Sequence, residues 1–317
     1  MTNPNKIGAA DSPFRPAGSP ASVPPGFILA SSALVLCFGW PLFQLARFAV
    51  GSQMYSHIVL IPLISAWLVW QRRAALPAPS APNRQLAVVF FAAGLAVLAG
   101  YAVMAFPTST LARDDGLALT TLSFLVLFAG VCAWFLGRET LRAVCFPLAF
   151  LLFMIPMPVF FVGWIESALQ QGSAAVANAF FTLAGTTVFA QGLTFQFSTI
   201  TIQIAPECSG IHSSLALLMT SVLAGYFFLR TPGRRTILTL AVLPLALLRN
   251  GFRVFVLGEL CVHIGPEMID SYIHHHGGPI FFILSLIPFF LLLVLLIKSE
   301  RKKGRAGAPL AWPGAES

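Results

Sequence analysis

Charge is what this sequence has least of: Asp, Glu, Lys and Arg together make up 9% of 317 residues, against 57% hydrophobic residues and 29 phenylalanines. No soluble domain needs that much apolar surface, which excludes an ordinary water-bathed globule. The cysteines are few and scattered, at positions 37, 132, 145, 208 and 261, with no Cys-x-x-Cys pair and no metal-ligand spacing. Also missing are Gly-x-Ser-x-Gly, His-Glu-x-x-His and any pair of aspartates inside an apolar run. Their absence leaves no rival nucleophile or metal motif in view. The N-terminus lacks the layout of a cleavable signal peptide, because its first apolar run starts late and continues as a full span.

What is present is a series of nearly uncharged runs of roughly 16 to 22 residues, the length that crosses a hydrocarbon core of about 30 Å. Lipid offers no partner to backbone N–H and C=O groups, and the runs lack sustained alternation, so they predict helices rather than a barrel. The expected fold is an all-α polytopic membrane protein of about eight transmembrane helices, with an amphipathic interfacial helix and a short extracytoplasmic β segment. Residues 1–25, rich in Pro, Ser, Ala and Asn, read as a disordered cytoplasmic tail. Residues 26–297 form the transmembrane domain, and 298–317 a basic cytoplasmic tail.

The expected spans are 26–45, 58–70, 86–106, 117–136, 143–162, 211–229, 236–248 and 279–297. Pro147, Pro156 and Pro158 should kink or break the fifth. From 163 to 191, Glu166, Gln170, Gln171, Ser173 and Asn178 interrupt the apolar positions, as in a helix lying at an interface. After Gly192, residues 193–204 mix β-branched and aromatic residues in approximate alternation, a strand or hairpin signal that cannot stand alone in lipid.

Basic clusters at 72–84, 138–142, 230–235 and 298–305 fall on one side if both termini share it, and that side is the cytoplasm. The net charge of +8 is therefore an orientation signal, not a nucleic-acid footprint. The opposite face receives His57, the strand segment, Cys208, Arg253 and His274, His275 and His276.

Cys208 lies in Ala205-Pro206-Glu207-Cys208-Ser209-Gly210, just before an apolar helix beginning at Ile211. A helix N-terminus favours an anion, which raises the thiolate fraction, although membrane cysteines are commonly small packing residues. Cys37, Cys132 and Cys145, inside expected spans, read as packing residues. Arg253 reads either as a snorkelling cap on the seventh span or as a fixed positive charge at a site. The histidine triplet reads either as solvated interface or as a proton carrier. Together a thiolate, an imidazole and a guanidinium suffice for acyl transfer: attack on a carbonyl, protonation of the leaving amine, and stabilisation of the oxyanion.

These residues resemble the exosortase/archaeosortase family of membrane cysteine transpeptidases. The resemblance runs from about Tyr55 onward, through Tyr55-Ser56-His57 with Pro62, Phe153-Met154-Ile155-Pro156-Met157-Pro158, Glu207-Cys208-Ser209-Gly210-Ile211, Asn250-Gly251-Phe252-Arg253 and a histidine ahead of a glycine at the last span. It implies a catalytic set of Cys208, Arg253 and one histidine of the triplet. His274 is chosen because His274–Gly277 and His274–Gly278 both fit the spacing, while His275–Gly278 remains open. It further implies an enzyme of the cytoplasmic (inner) membrane whose substrates are secreted proteins with a PEP-CTERM-like tail. That tail comprises a short Pro-Glu-Pro-like motif, an apolar span and basic residues. The chain would be cut outside the cytoplasm and passed to an acceptor molecule of unknown nature. No cofactor, metal or nucleic acid is implied.

Two other readings compete. A carrier or channel would use His57, Arg253 and the acidic loop residues along a polar path, and is expected to place ionisable residues in mid-span. A metal-dependent membrane enzyme would use Glu259, Cys261, His263 and the triplet, without a closed spacing motif. A disulfide between Cys208 and Cys261 is not favoured.

Overall fold

The computed structural model describes residues 24–77, 81–105, 112–198, 200–205, 209–265, 267–268 and 278–302. Helices form where the apolar runs predict them and break at proline, glycine or charge. Helix α1 (Pro25–Cys37) opens on proline at its first position, where the missing N–H is no loss, and bends by 66° into α2 (Gly39–Gly51). A 3-10 turn, Ser56–Val59, leads into α3 (Leu60–Gln71). Then come α4 (Arg84–Ala105), α5 (Arg113–Ala143) and α6 (Cys145–Phe150), which runs on as a 3-10 turn to Met154.

The expected break at Pro156 and Pro158 separates the 3-10 turn that ends at Met154 from α7 (Val159–Ala184). Proline holds the preceding residue extended, and Ile155 has ψ 120°. Strands β1 (Phe189–Gln191), β2 (Thr194–Gln196) and β3 (Thr201–Gln203) follow, and then α8 (Ile211–Phe228), α9 (Pro232–Leu240), α10 (Val242–His263) and α11 (Gly278–Lys302).

Among the described residues, five helical stretches are long and apolar enough to cross a membrane singly, one of them Pro232–His263, which joins α9 to α10. Counting each bent pair, α1 with α2 and α6 with α7, as one span raises the total to 7. The shorter apolar helix Ser56–Gln71 brings it into line with the expected number of about eight.

The chain divides into two compact units, one of residues up to Phe48 with His57–Ile155, the other of Ala49–Ser56 with Pro156 onward. The first is built on α4 and α5. A Cβ on Gly94 would come within 2.7 Å of Leu127 Cγ, and one on Gly130 within 2.8 Å of Phe91, so bare backbone lets the two helices approach. Ser123 Oγ donates to Gly94 O at 2.9 Å across that seam. Phe38, Phe124 and Phe128 stack along the other side of α5, and buried Cys132 packs as expected, whereas Cys37 and Cys145 are exposed on their helices. A largely apolar cavity of about 830 Å³, lined among others by Phe27 of α1, Leu45 of α2, Ile58 of the 3-10 turn and Leu136 of α5, also lies in this unit.

In the second unit α7 and α10 run side by side in the same direction. Gly172 meets Leu247, Gly251 meets Val176, and Gly258 meets Phe181. The strand signal resolves into a three-stranded antiparallel sheet in the order β1-β2-β3, with Phe195 paired to Ala190 and to Ile202. Gly192, at φ 62°, makes the tight β1–β2 turn. Alternation sends Phe195 inward and Gln196 outward, and Phe195 joins Phe181, Phe197, Ile204 and Val254 in one core. At the other end α8, α9 and α11 bury Leu217, Leu229, Leu238 and Phe289. There Glu300 accepts from the Thr231 N–H at 2.9 Å and the Thr231 hydroxyl at 2.7 Å, and pairs with Arg234 at 3.5 Å.

A polar seam around the turn at Gly210

Of the three residues expected to carry the chemistry, Arg253 is described; Cys208 and His274, with His275 and His276, lie outside the described residues. The helix does not end at Arg253. Helix α10 continues beyond it to His263, because Val254 and Leu257 find cover against protein. Val254 lies in the core formed by α7 and the sheet, so the apolar pattern goes on after the charge. Arg253 is thus half-buried inside the helix, on the same stripe as Arg249 one turn earlier.

Arg249 of that stripe meets the chain at Gly210, and the described residues on either side of 206–208 are held. Before them, Ile204 donates its N–H to Leu193 O at 3.0 Å and accepts from Gln170 Nε2 of α7 at 3.2 Å. After them, Gly210 caps α8 in the left-handed region, φ 74°. The Gly210 carbonyl accepts the Ser214 N–H at 3.0 Å, the Ser214 hydroxyl at 2.7 Å and Arg249 Nη2 at 3.0 Å. Arg249 Nη2 also reaches Ser214 Oγ at 3.1 Å. Asn250 Nδ2 donates to Ser173 Oγ of α7 at 3.1 Å. A Cβ at Gly210 would stand 2.9 Å from Arg249 Nη2 and 3.2 Å from Asn250 Oδ1, so glycine is required both by its backbone angle and by the side chains against it.

Sequence reading did not single out Arg249, Ser209 or the inward roles of Gln170 and Ser173. The signals were there: Gln170 and Ser173 are three apart and Arg249 and Arg253 four apart, spacings that share a helix face. In α7 the polar interruptions divide, with Gln170 and Ser173 buried and Gln171 and Asn178 exposed.

Further along α10, Thr186 Oγ1 donates to Glu259 Oε1, and His263 Nε2 lies 3.1 Å from Glu259 Oε2. Cys261 is a buried free thiol. Among the described residues no three His, Cys, Asp or Glu gather into a metal-holding group. His57 lies in the turn Ser56–Val59 of the first unit, and Tyr55, in the second, donates its hydroxyl to Met157 O at 3.3 Å.

A chemical description of the seam is short. At Gly210, where α8 opens, it offers the Arg249 guanidinium and the Asn250 amide against a left-handed glycine, with Arg253 one turn further along the same stripe of α10 and the protein supplying the polar partners that lipid cannot. Residues 50–291 match the protein family described as transmembrane exosortase. No curated protein and no solved structure matches the chain.

Proposed function

Because the chain belongs to the transmembrane exosortase family, we propose that Cys208 is the nucleophile of a membrane-embedded cysteine transpeptidase, with Arg253 and His274 as its partners. The thiolate attacks the carbonyl of a peptide bond in the C-terminal tail of a secreted protein. His274 protonates the departing amine as the C–N bond breaks, leaving a thioester on Cys208. An acceptor nucleophile then takes the acyl group and frees the thiol. Arg253 supplies fixed positive charge for the thiolate or the oxyanion. The tail would carry a Pro-Glu-Pro-like motif, an apolar span and basic residues, and cutting would occur on the extracytoplasmic side of the inner membrane, opposite the basic clusters at 72–84 and 230–235.

One observation carries this reading: the helix bearing Asn250 and Arg253 also holds the carbonyl of Gly210, two residues after Cys208, through Arg249. Covalent geometry keeps the two Cα atoms of that pair within about 7.6 Å. The test is to trap the thioester. Full-length protein incubated with a tailed substrate should yield a hydroxylamine-sensitive adduct on Cys208. Cys208→Ala should insert normally and leave the tail uncut; normal processing by that variant would end the proposal. Arg253→Lys should be severely impaired, because an ammonium cannot reproduce a planar fork of donors.

A further inference from the structure

One arm of a buried guanidinium is left over. Arg249 is 7% exposed, and while Nη2 is engaged by Gly210 O and Ser214 Oγ, Nη1 is buried without an acceptor among the described residues. Nor does a described carboxylate form an ion pair with it. Ser209, 1% exposed, holds a second orphan, a buried hydroxyl with no hydrogen-bond partner among the described residues. The two converge on Gly210, since Ser209 is its chain neighbour and Arg249 is bonded to its carbonyl.

Packing does not account for this pair. A buried donor without an acceptor is costly, a buried charge without a counter-ion more so, and an apolar side chain would fill the space without that cost. Ionisable groups kept within membrane helices mark sites of function. Positioning Gly210 uses only Nη2, so the spare arm needs another reason. A guanidinium N–H and a hydroxyl on one turn both suit an oxygen acceptor, and the planar fork favours a carbonyl or carboxylate.

Resting on the exosortase reading, we propose that Arg249 Nη1 and Ser209 Oγ bind an acceptor oxygen of the polypeptide substrate beside the reactive thiol. Arg249 thus has two jobs, one arm holding the turn and the other holding the substrate, distinct from the charge supplied by Arg253. The oxygen belongs either to a backbone carbonyl near the cut bond or to a carboxylate side chain in the tail motif.

Binding without turnover tests this. The parent is the full chain carrying Cys208→Ala, purified in detergent. The probes are two fluorescent synthetic peptides with motif, apolar span and basic end, differing only in Glu or Gln at the acidic motif position. Adding Arg249→Lys or Ser209→Ala is expected to weaken binding by about tenfold or more, the effect of losing one buried, charge-assisted hydrogen bond. If the carboxylate is the ligand, the Gln peptide binds the parent weakly and Arg249→Lys adds little further loss. If the carbonyl is the ligand, both peptides lose equally. Affinities within about twofold of the parent for both variants, or no binding by the parent, overturn the proposal. Thermal unfolding monitors the fold, and Ser209→Ala, which removes one hydroxyl, carries the test if Arg249→Lys does not fold. Cleavage by the Cys208→Ala parent would instead sink the thiol mechanism, leaving the binding result to stand separately.

Discussion

The α4–α5 pair of the first unit and the α7–α10 pair of the second solve the same packing problem with different consequences. Both use glycines to bring helices close, Gly94 and Gly130 in one case and Gly172, Gly251 and Gly258 in the other. In the first, the polar traffic across the seam is a serine donating to a neighbouring helix carbonyl, Ser123 to Gly94. In the second, Gln170 and Arg249 reach past the helices to the carbonyls of Ile204 and Gly210, where the chain is not helical. Close approach alone therefore makes a membrane scaffold. It makes a candidate site when polar side chains are aimed at a turn whose backbone lipid cannot satisfy.

The largest effect should come from forcing the second seam apart. A Cβ at Gly251 would lie 2.5 Å from Val176 Cγ1 and 3.0 Å from the Ser173 backbone oxygen, which has nowhere to go. Gly251→Val is expected to cost about 1–3 kcal/mol or more in stability and to remove tail processing. The matched change, Gly94→Val, meets mainly the Leu127 side chain, Cγ at 2.7 Å and Cδ2 at 2.8 Å, with the backbone nitrogen further off at 3.2 Å. It should lower thermal stability while leaving processing per inserted molecule within about twofold. Equal loss of processing in both variants would erase the distinction between scaffold and site.

Gly210→Ala comes next. Leaving glycine in the left-handed region costs about 1–2 kcal/mol, and the methyl group displaces Arg249. Processing should fall by about ten- to a hundredfold, one to two steps of 1.4 kcal/mol, with little change in the amount of inserted protein. Gln170→Leu leaves the Ile204 carbonyl without its side-chain donor and should cost about 1 kcal/mol together with a measurable loss of kcat/KM. Its counterpart Ser123→Ala should cost about 0.6 kcal/mol and leave kcat/KM alone. Of similar size, Glu300→Gln loosens the Thr231 turn and should lower stability by about 0.5–1 kcal/mol with processing unchanged, read by thermal unfolding and cleavage in parallel.

Much of the fold was legible because lipid leaves few choices. Apolar runs had to be helices, the Pro156-Met157-Pro158 break separates two helices, and the alternation around Phe195 appears as a sheet with that ring buried. The extent of α10 was not legible. Arg249 and Arg253 look like the end of a span when polarity is read along the line, and the helix is prolonged by the cover that Phe181 and Phe197 give to Val254 and Gly258. Ser209 stood in the motif Glu207–Ile211 without a role of its own, since one serine beside a glycine is ordinary until its surroundings are known.

By itself the sequence determined that this chain lives in a bilayer as helices, and which local motifs resemble those of a transpeptidase family. Hydropathy and covalent spacing are properties of neighbouring residues, so no folding was needed to read them. Tertiary structure alone decided that Gln170, Ser173, Arg249 and Asn250, spread over eighty-odd positions, meet one another and the backbone at Ile204 and Gly210. That outcome depends on glycines bringing two helices into contact and on backbone carbonyls outside the helices needing donors that lipid cannot supply.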